Sequence, residues 1–179
     1  MTFFGEEDIL KQMEGGRAVY LEGRSLQGQT GHEAGRALLA DMYCRYIGGE
    51  MPAILVAEGG KPYFADSPWH FSISHSKAHV FCALSQKKIG IDAEELDRNI
   101  SQKLADKSLS PMERQQYENA EDKRLALLRF WVLKEAQAKM TGEGIRLHPI
   151  HTEFSLSDPR VRELQNCLVA VIEEEDHVI

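Results

Sequence analysis

The chain has 179 residues, 42% of them hydrophobic, and a formal net charge of −7 at pH 7. This length suits one compact domain, or two small halves that share a core. The acidic balance disfavours a general nucleic-acid-binding protein, and no segment has the roughly 18–20 apolar residues needed to span a membrane.

The three cysteines are widely scattered and show no Cys-x-x-Cys spacing. This pattern argues for a reducing compartment, and against both a disulfide framework and a structural zinc site. The first residues are acidic and lack the basic and apolar regions of a secretory signal. We therefore expect a cytoplasmic protein.

Residues 30–47 are predicted to form the first helix. Thr30 suits the N-cap position, and apolar residues recur at helical spacing from Ala34 to Ile47. Gly48 and Gly49 follow, and glycine readily adopts the left-handed conformation that ends a helix.

Short apolar or alternating segments predict a group of strands after this helix. The Gly-Gly-Lys-Pro segment at residues 59–62 is predicted to be a turn. Residues 86–88 are predicted to join the last two strands as a hairpin. The strands are expected at residues 53–57, 69–74, 79–85 and 89–94.

The second half of the chain is predicted to begin with helices. Ser110, Pro111 and Glu113 combine an N-cap, a proline at the first helical position and a capping-box acid. A longer helix is expected at residues 121–140, with Gly142 as its end. Strands are expected at residues 152–156 and 167–173.

A weak internal repeat supports two similar halves. A shift of about 94 residues lays one helix on the other, and it matches Asp41, Arg45 and Gly48 to Glu135, Lys139 and Gly142. If the repeat is real, residues 177–179 match 79–81 and the chain ends inside its last strand. Chance similarity between two amphipathic helices is the alternative.

Acidic residues in two segments suggest a metal site. Asp92 and Glu94 are two apart on a predicted strand, so they share a face, while Glu135 and Lys139 are four apart on a predicted helix. If the segments meet, three carboxylates and an ammonium would suit Mg²⁺ that holds a phosphate ester. Each pair alone is also typical of a solvated surface.

Two further segments carry polar groups that suit phosphate. The hydroxyls of Ser72, Ser74 and Ser76 are predicted to share one strand face, with His75 at the strand end. Lys61 lies in the Gly-Lys-Pro turn. Taken alone, these residues would equally form a polar strand end and an ordinary surface turn.

The order of these motifs closely resembles the 4′-phosphopantetheinyl transferase superfamily, in particular its surfactin-type (Sfp-type) branch. The resemblance covers roughly residues 30–147 and rests on Gly-Lys-Pro, Ser-His-Ser, Ile-Gly-Ile-Asp-Ala-Glu and Trp-x-x-Lys-Glu-Ala-x-x-x-Lys. It implies an enzyme that transfers phosphopantetheine from coenzyme A to a serine of an acyl or peptidyl carrier protein.

The resemblance also implies roles for individual residues. The metal ligands for Mg²⁺, with Mn²⁺ as an alternative ion, are Asp92, Glu94 and Glu135. The catalytic residues are Glu135, as the base for the carrier serine, and Lys139, beside the pyrophosphate. The residues expected to bind coenzyme A are Arg36, Lys61, Ser74, His75, Asp92, Lys134 and Lys139.

The implied fold is α+β, with two pseudo-twofold halves, each a long helix packed on a small and mainly antiparallel sheet. The halves are expected at residues 1–95 and 96–179, in a pseudodimeric monomer that binds neither nucleic acid nor membrane. Two alternatives remain open. One is a catalytically silent coenzyme A or nucleotide-binding module, and the other is a Mg²⁺-dependent phosphohydrolase.

Overall fold

A computed structural model of the chain describes residues 10–14, 17–142 and 152–175. The strands in these ranges are β1 (Leu10–Glu14), β2 (Arg17–Ser25), β3 (Ile54–Val56), β4 (Pro62–Phe64), β5 (His70–His75), β6 (His79–Ser85), β7 (Ile89–Glu95), β8 (Val161–Leu164) and β9 (Cys167–Glu173). The helices are α1 (Gly31–Tyr46), α2 (Gln102–Ser108), α3 (Pro111–Glu118) and α4 (Lys123–Thr141).

The predicted α+β class is confirmed, with antiparallel sheets throughout the described residues. One sheet has the order β1-β2-β6-β5, a second has the order β7-β9-β8, and β3 and β4 form a separate hairpin. Helix α1 packs on β5 and β6, whereas α4 packs on β7 and β9. Each larger sheet therefore has one long helix on it.

A cluster of apolar side chains lies between the two larger sheets. It joins buried side chains from β2, β6, β7 and β9, among them Leu21, Phe81, Ile91 and Val169. Strands β6 and β7 are buried on both faces because each face meets another layer of the protein, although Asp92 lies on the face of β7 that meets α4. This arrangement holds β7 in the centre of the molecule.

The predicted helix ends are confirmed. Thr30 and Glu33 form a capping box at the start of α1, and Ser110 and Glu113 form another at the start of α3. Helix α4 ends at Gly142, which has a φ of 79°. Local sequence signals suffice here because each cap involves residues only a few positions apart.

The predicted hairpin between residues 79–85 and 89–94 is wrong. Strand β6 pairs with β2 and β5, whereas β7 crosses to the second sheet and pairs with β9. The other edge of β7 donates two backbone N–H groups to side chains of β5: Ile91 N to Ser72 Oγ and Ala93 N to Ser74 Oγ, at 3.1 and 3.2 Å. These serine hydroxyls take the place of the backbone hydrogen bonds that a hairpin between β6 and β7 would have formed.

The strand predicted at residues 152–156 is also wrong. Backbone N–H groups there bond to side chains instead of a neighbouring strand: Phe154 N donates to Glu113 Oε1, and Leu156 N donates to Gln116 Oε1. The final predicted strand, at residues 177–179, lies outside the described residues. None of the described helices is long and apolar enough to cross a bilayer.

Close packing between β7 and α4 depends on one glycine. A Cβ atom added to Gly90 would lie 2.0 Å from the carbonyl oxygen of Ala136 and 2.4 Å from the nitrogen of Met140. A side chain at this position is therefore excluded. The close approach brings the acidic part of β7 against the polar face of α4.

Candidate functional site

Asp92 on β7 and Lys139 on α4 form the centre of the candidate site. The Lys139 ammonium donates to Asp92 Oδ1 at 2.7 Å, and Ser74 Oγ donates to the same oxygen at 3.0 Å. The exposed fraction of the side chain is 7% for Asp92 and 33% for Lys139. A shielded carboxylate therefore faces an ammonium that solvent and ligands still reach.

The second oxygen of Asp92 is a buried acceptor that lacks a hydrogen-bond partner among the described residues. Such an oxygen is costly unless it is satisfied by a hydrogen bond or a cation. Mg²⁺ prefers carboxylate and phosphate oxygens as ligands. Asp92 Oδ2 is therefore suited to be a Mg²⁺ ligand.

Glu135 is close enough to Asp92 for the two carboxylates to interact. Burial, followed by the negative charge of Asp92, raises the pKa of Glu135 to about 7, although Lys139 and Arg98 act in the opposite direction. A carboxylate with such a pKa exchanges a proton near neutral pH. Glu135 therefore has the protonation behaviour of a general base.

Glu94 is held by Arg98, with which it forms an ion pair. In the described part of the chain, the carboxylate oxygens of Asp92, Glu94 and Glu135 do not all lie within 4.8 Å of one another. The structure thus brings Asp92, Glu135 and Lys139 together, while the Glu94 carboxylate is engaged elsewhere. Arg98 was not predicted as part of the site. Its ion pair with Glu94 depends on the backbone path of the turn after β7, which the sequence pattern does not specify.

A cleft of about 260 Å³ opens beside this group. Its wall includes Glu135 and Lys139 from α4, Ser72 from β5 and residues 59–62 of the predicted Gly-Gly-Lys-Pro turn. The turn forms most of the β3–β4 connection, with Pro62 as the first residue of β4. The cleft therefore brings three of the sequence motifs to one place.

Lys61 lines this cleft, but its ammonium points toward the end of α4. It donates to the carbonyl oxygens of Met140 and Ile89, at 2.7 and 3.3 Å. Burial, then the charge of Lys88, lowers the pKa of Lys61. Lys61 thus caps the C-terminus of α4, where a positive charge is favourable.

Two of the predicted residues lie at the other side of β5. His75 is exposed, and its ring lies against Gly31 at the start of α1, where an added Cβ would come within 2.4 Å of it. Arg36 is half-buried on α1. Among the described residues, no hydrogen bond connects His75 or Arg36 to the Asp92 group.

Lys134 lies away from the cleft. Its side chain is 2% exposed, and its ammonium is 2.8 Å from Oε2 of Glu113, whose side chain is 0% exposed. The contact is an ion pair, not a well-aligned hydrogen bond. Glu113 also accepts from Ser110 N and Phe154 N, at 2.8 and 3.0 Å. The sequence indicated only its capping role.

The prediction that three serines share one face is confirmed, and they all contact β7. Ser72 and Ser74 accept backbone N–H groups from β7, and Ser76 Oγ donates to Glu95 Oε1 at 2.7 Å. The alternation in the sequence identified these hydroxyls. Their partner became evident only from the packing of the two sheets.

Comparisons with known proteins agree with the motif resemblance. The family model described as the 4′-phosphopantetheinyl transferase superfamily matches residues 88–176. The 4′-phosphopantetheinyl transferase psf-1 of Bacillus pumilus is 36% identical over 123 residues, which are 63% of this chain and 52% of that protein.

Two relatives from Bacillus subtilis give similar values. One 4′-phosphopantetheinyl transferase is 33% identical over 125 residues, which are 64% of this chain and 55% of that protein. The 4′-phosphopantetheinyl transferase Sfp of strain 168 is 34% identical over 93 residues, or 50% and 41% of the two chains. This chain spans about half the length of the curated relatives it matches.

Proposed function

Because this chain belongs to the 4′-phosphopantetheinyl transferase superfamily, we propose that it transfers phosphopantetheine from coenzyme A to a carrier protein. The acceptor is a serine of an acyl or peptidyl carrier protein, and the product released is adenosine 3′,5′-bisphosphate. The observation that carries the proposal is the buried Asp92 carboxylate, which has one oxygen on Lys139 and the other without a protein partner among the described residues.

The charges of this group suit a pyrophosphate substrate. Asp92, Glu94 and Glu135 are the proposed ligands of Mg²⁺, or of Mn²⁺, with Glu94 exchanging its contact with Arg98 for the ion. The bound ion would offset the negative charge that develops on the pyrophosphate. Lys139 adds a positive charge at the cleft wall, so a chain with a net charge of −7 still offers a local site for an anion.

The proposed reaction is a displacement at phosphorus. Glu135 accepts the proton of the carrier serine, directly or through a water, and the serine oxygen forms a bond to the phosphorus that carries pantetheine. The bond between that phosphorus and the bridging oxygen breaks, and Lys139 stabilises the charge on the leaving adenosine bisphosphate. Without the ion, burial and the charge of Asp92 raise the pKa of Glu135 to about 7. A divalent cation on the same carboxylate would lower this pKa and keep Glu135 ionised, as proton acceptance requires.

The remaining predicted residues would contribute in different ways. Lys61 lines the cleft, and Ser74 lies beside it, where it accepts from Lys139. His75 and Arg36 lie on the side of β5 that faces α1. We propose that all four residues bind coenzyme A through its phosphates. Lys134 requires a correction of its predicted contact, because its ammonium is buried against Glu113. We propose instead that Lys134 supports α4 from within.

The architecture is compatible with a pseudo-twofold monomer. Helices α1 and α4 each pack on their own antiparallel sheet, as two related halves would require. We propose that coenzyme A binds between two such halves. The bounds expected for them, residues 1–95 and 96–179, put β7 in the first half, whereas β7 pairs with β9 in the second sheet. The three cysteines are all unpaired, which fits the cytoplasm as the proposed compartment.

The test is a mass measurement on carrier proteins incubated with the purified chain, coenzyme A and Mg²⁺. We expect a mass increase equal to one phosphopantetheine group, and a rate about 10²–10³-fold lower for Asp92→Ala, the loss typical of a missing positioned charge. Asp41→Ala, which alters an exposed carboxylate on α1, is the control and should retain the rate.

Three results would contradict the proposal. A folded Asp92→Ala variant with a normal rate would exclude the Asp92 group as the catalytic site. Coenzyme A binding without modification of any carrier in a panel would favour the silent binding module. Release of phosphate from small esters without a carrier would favour the phosphohydrolase.

A further inference from the structure

A second group of ligand-type side chains lies at the far end of β7. His79 begins β6, Glu95 ends β7 and Cys167 begins β9. The three residues therefore come from three strands and from both larger sheets. Nothing in the proposed transfer of phosphopantetheine uses them.

Their ligand atoms converge on one point. One atom from each residue lies within 4.8 Å of the other two. His79 Nδ1 is 3.1 Å from Glu95 Oε1 and 3.7 Å from Cys167 Sγ. In the described part of the chain, no other three His, Cys, Asp or Glu residues meet this criterion.

The distances and atom types match the edges of a zinc tetrahedron. With Zn–S at about 2.3 Å and Zn–N at about 2.0–2.1 Å, the tetrahedral angle separates S and N by about 3.5 Å. The observed separation is 3.7 Å. We propose that His79, Glu95 and Cys167 bind a divalent cation of the zinc class.

The ligand chemistry separates this site from the carboxylate group at Asp92. A thiolate and an imidazole favour Zn²⁺ over Mg²⁺, whereas the Asp92 group offers only oxygen atoms. Binding releases the thiol proton of Cys167 to solvent, and the His79 Nδ1 lone pair and a Glu95 oxygen complete three protein ligands. The fourth position is open to a water.

The surroundings support the ligands and leave a route for the ion. The side chains of His79 and Glu95 are 21% and 12% exposed, so the site is reached from their side, while Cys167 is buried. Ser76 Oγ and Ala78 N donate to Glu95 Oε1 at 2.7 and 3.1 Å. Such outer partners orient metal ligands and strengthen binding.

A cation here would join the two sheets directly. His79 belongs to the first sheet, whereas Glu95 and Cys167 belong to the second, where their strands pair. Asp92 lies three residues before Glu95 on the same strand. The ion would therefore fix the end of the strand that carries the candidate catalytic carboxylate. The cysteine spacing in the sequence argued against structural zinc, but these three ligands come from separate strands, so no short spacing indicates them.

The test uses Co²⁺ as a spectroscopic probe of the whole chain after chelator treatment. We expect about one equivalent of Co²⁺ to produce a near-ultraviolet thiolate-to-cobalt band and the visible bands of tetrahedral cobalt, and Zn²⁺ to abolish both. A Co²⁺ ion bound by the Asp92 group gives no thiolate band. The readout therefore does not depend on the transferase activity, and it fails independently of the proposed function.

Matched variants test the assignment to these residues. Cys167→Ser should abolish the thiolate band, while His79→Gln should weaken Co²⁺ binding by more than the roughly 10–100-fold that loss of an outer partner costs. Cys44→Ser, at an exposed cysteine, should leave the band unchanged. Circular dichroism establishes that each variant is folded.

The proposal is overturned if the unsubstituted chain shows no thiolate band. It is equally overturned if Cys44→Ser removes the band or if folded Cys167→Ser retains it. Should Cys167→Ser fail to fold, unchanged Co²⁺ affinity in His79→Gln also excludes the site. In each of these cases the three residues form only a hydrogen-bonded cluster.

Discussion

Replacement of Lys134 by methionine should greatly reduce the stability of the protein. The Lys134 ammonium and the Glu113 carboxylate are 2.8 Å apart, and their side chains are only 2% and 0% exposed. Removing one partner of a buried ion pair costs about 3–5 kcal/mol, because the other charge stays buried without compensation. A surface pair is worth only about 0–1 kcal/mol.

The other contacts of Glu113 place the expected loss near the lower end of this range. Its carboxylate keeps the N–H donors of Ser110 and Phe154, at 2.8 and 3.0 Å, after the ammonium is removed. We therefore expect Lys134→Met to lower the free energy of unfolding by about 3 kcal/mol. A small domain has about 5–15 kcal/mol in total, so the change would be easy to measure.

Urea unfolding followed by circular dichroism and tryptophan fluorescence measures this loss. Lys123→Met is the matched control on the same helix, because Lys123 pairs with Glu118 at 2.6 Å on the surface. We expect less than about 1 kcal/mol from the control. Lys134→Met combined with Glu113→Gln should recover part of the loss, since no unpaired charge then remains buried.

The reasoning would be refuted if Lys134→Met lost no more stability than Lys123→Met. An accompanying rise in the KM for coenzyme A would then assign Lys134 to the substrate, as the motif resemblance first implied. A large loss of stability with a normal KM in the remaining folded protein would support the internal role.

Three further changes test the site around β7. Burial and the charge of Asp92 raise the pKa of Glu135 to about 7, so the folded state binds more protons than the unfolded state between about pH 4.5 and pH 7. Stability should fall as pH rises through this window, and Glu135→Gln should remove about 1–2 kcal/mol of that fall, after allowance for solvent screening. Gly90→Ala should cost about 3 kcal/mol in urea unfolding, because the added Cβ would lie 2.0 Å from the carbonyl oxygen of Ala136. Arg98→Met should tighten Mg²⁺ binding in calorimetry by about 1.5- to 5-fold, the equivalent of one exposed ion pair with Glu94.

Each of these tests has an outcome that would contradict it. A Glu135→Gln variant whose stability varies with pH as in the parent protein would exclude the raised pKa. Gly35→Ala is the control for Gly90→Ala, because the nearest atoms to its Cβ would be side-chain methyl groups, of Ile73 at 2.7 Å and of Val80 at 3.5 Å, rather than backbone. Equal losses from the two glycine changes would argue against the backbone clash. Unchanged or weaker Mg²⁺ binding by Arg98→Met would remove Glu94 from the proposed ligand set.

The sequence alone determined the parts of the fold that depend on neighbouring residues. The capping boxes at Thr30 and Ser110 and the end of α4 at Gly142 were predicted where they occur. The strand at residues 167–173 was also predicted with its observed bounds. These features arise from side-chain and backbone contacts within a few positions, so local patterns contain the necessary information.

The order of the motifs along the chain likewise sufficed to indicate the family. The Asp-x-Glu strand and the Lys-Glu helix were expected to meet, and the short distance between Asp92 and Lys139 agrees with this expectation. The detailed ligand geometry was less predictable. The engagement of Glu94 by Arg98 depends on the path of the turn after β7.

Only the tertiary structure decided which distant residues meet. Strand β7 pairs with β9 and does not form the predicted hairpin, because the first sheet covers one of its faces, α4 covers the other, and serine hydroxyls satisfy its free edge. The same packing buries the Lys134 ammonium against the Glu113 carboxylate. It also brought His79 to Cys167 across 88 residues of sequence. No short spacing encodes such contacts, since they follow from how whole strands and helices share one buried core.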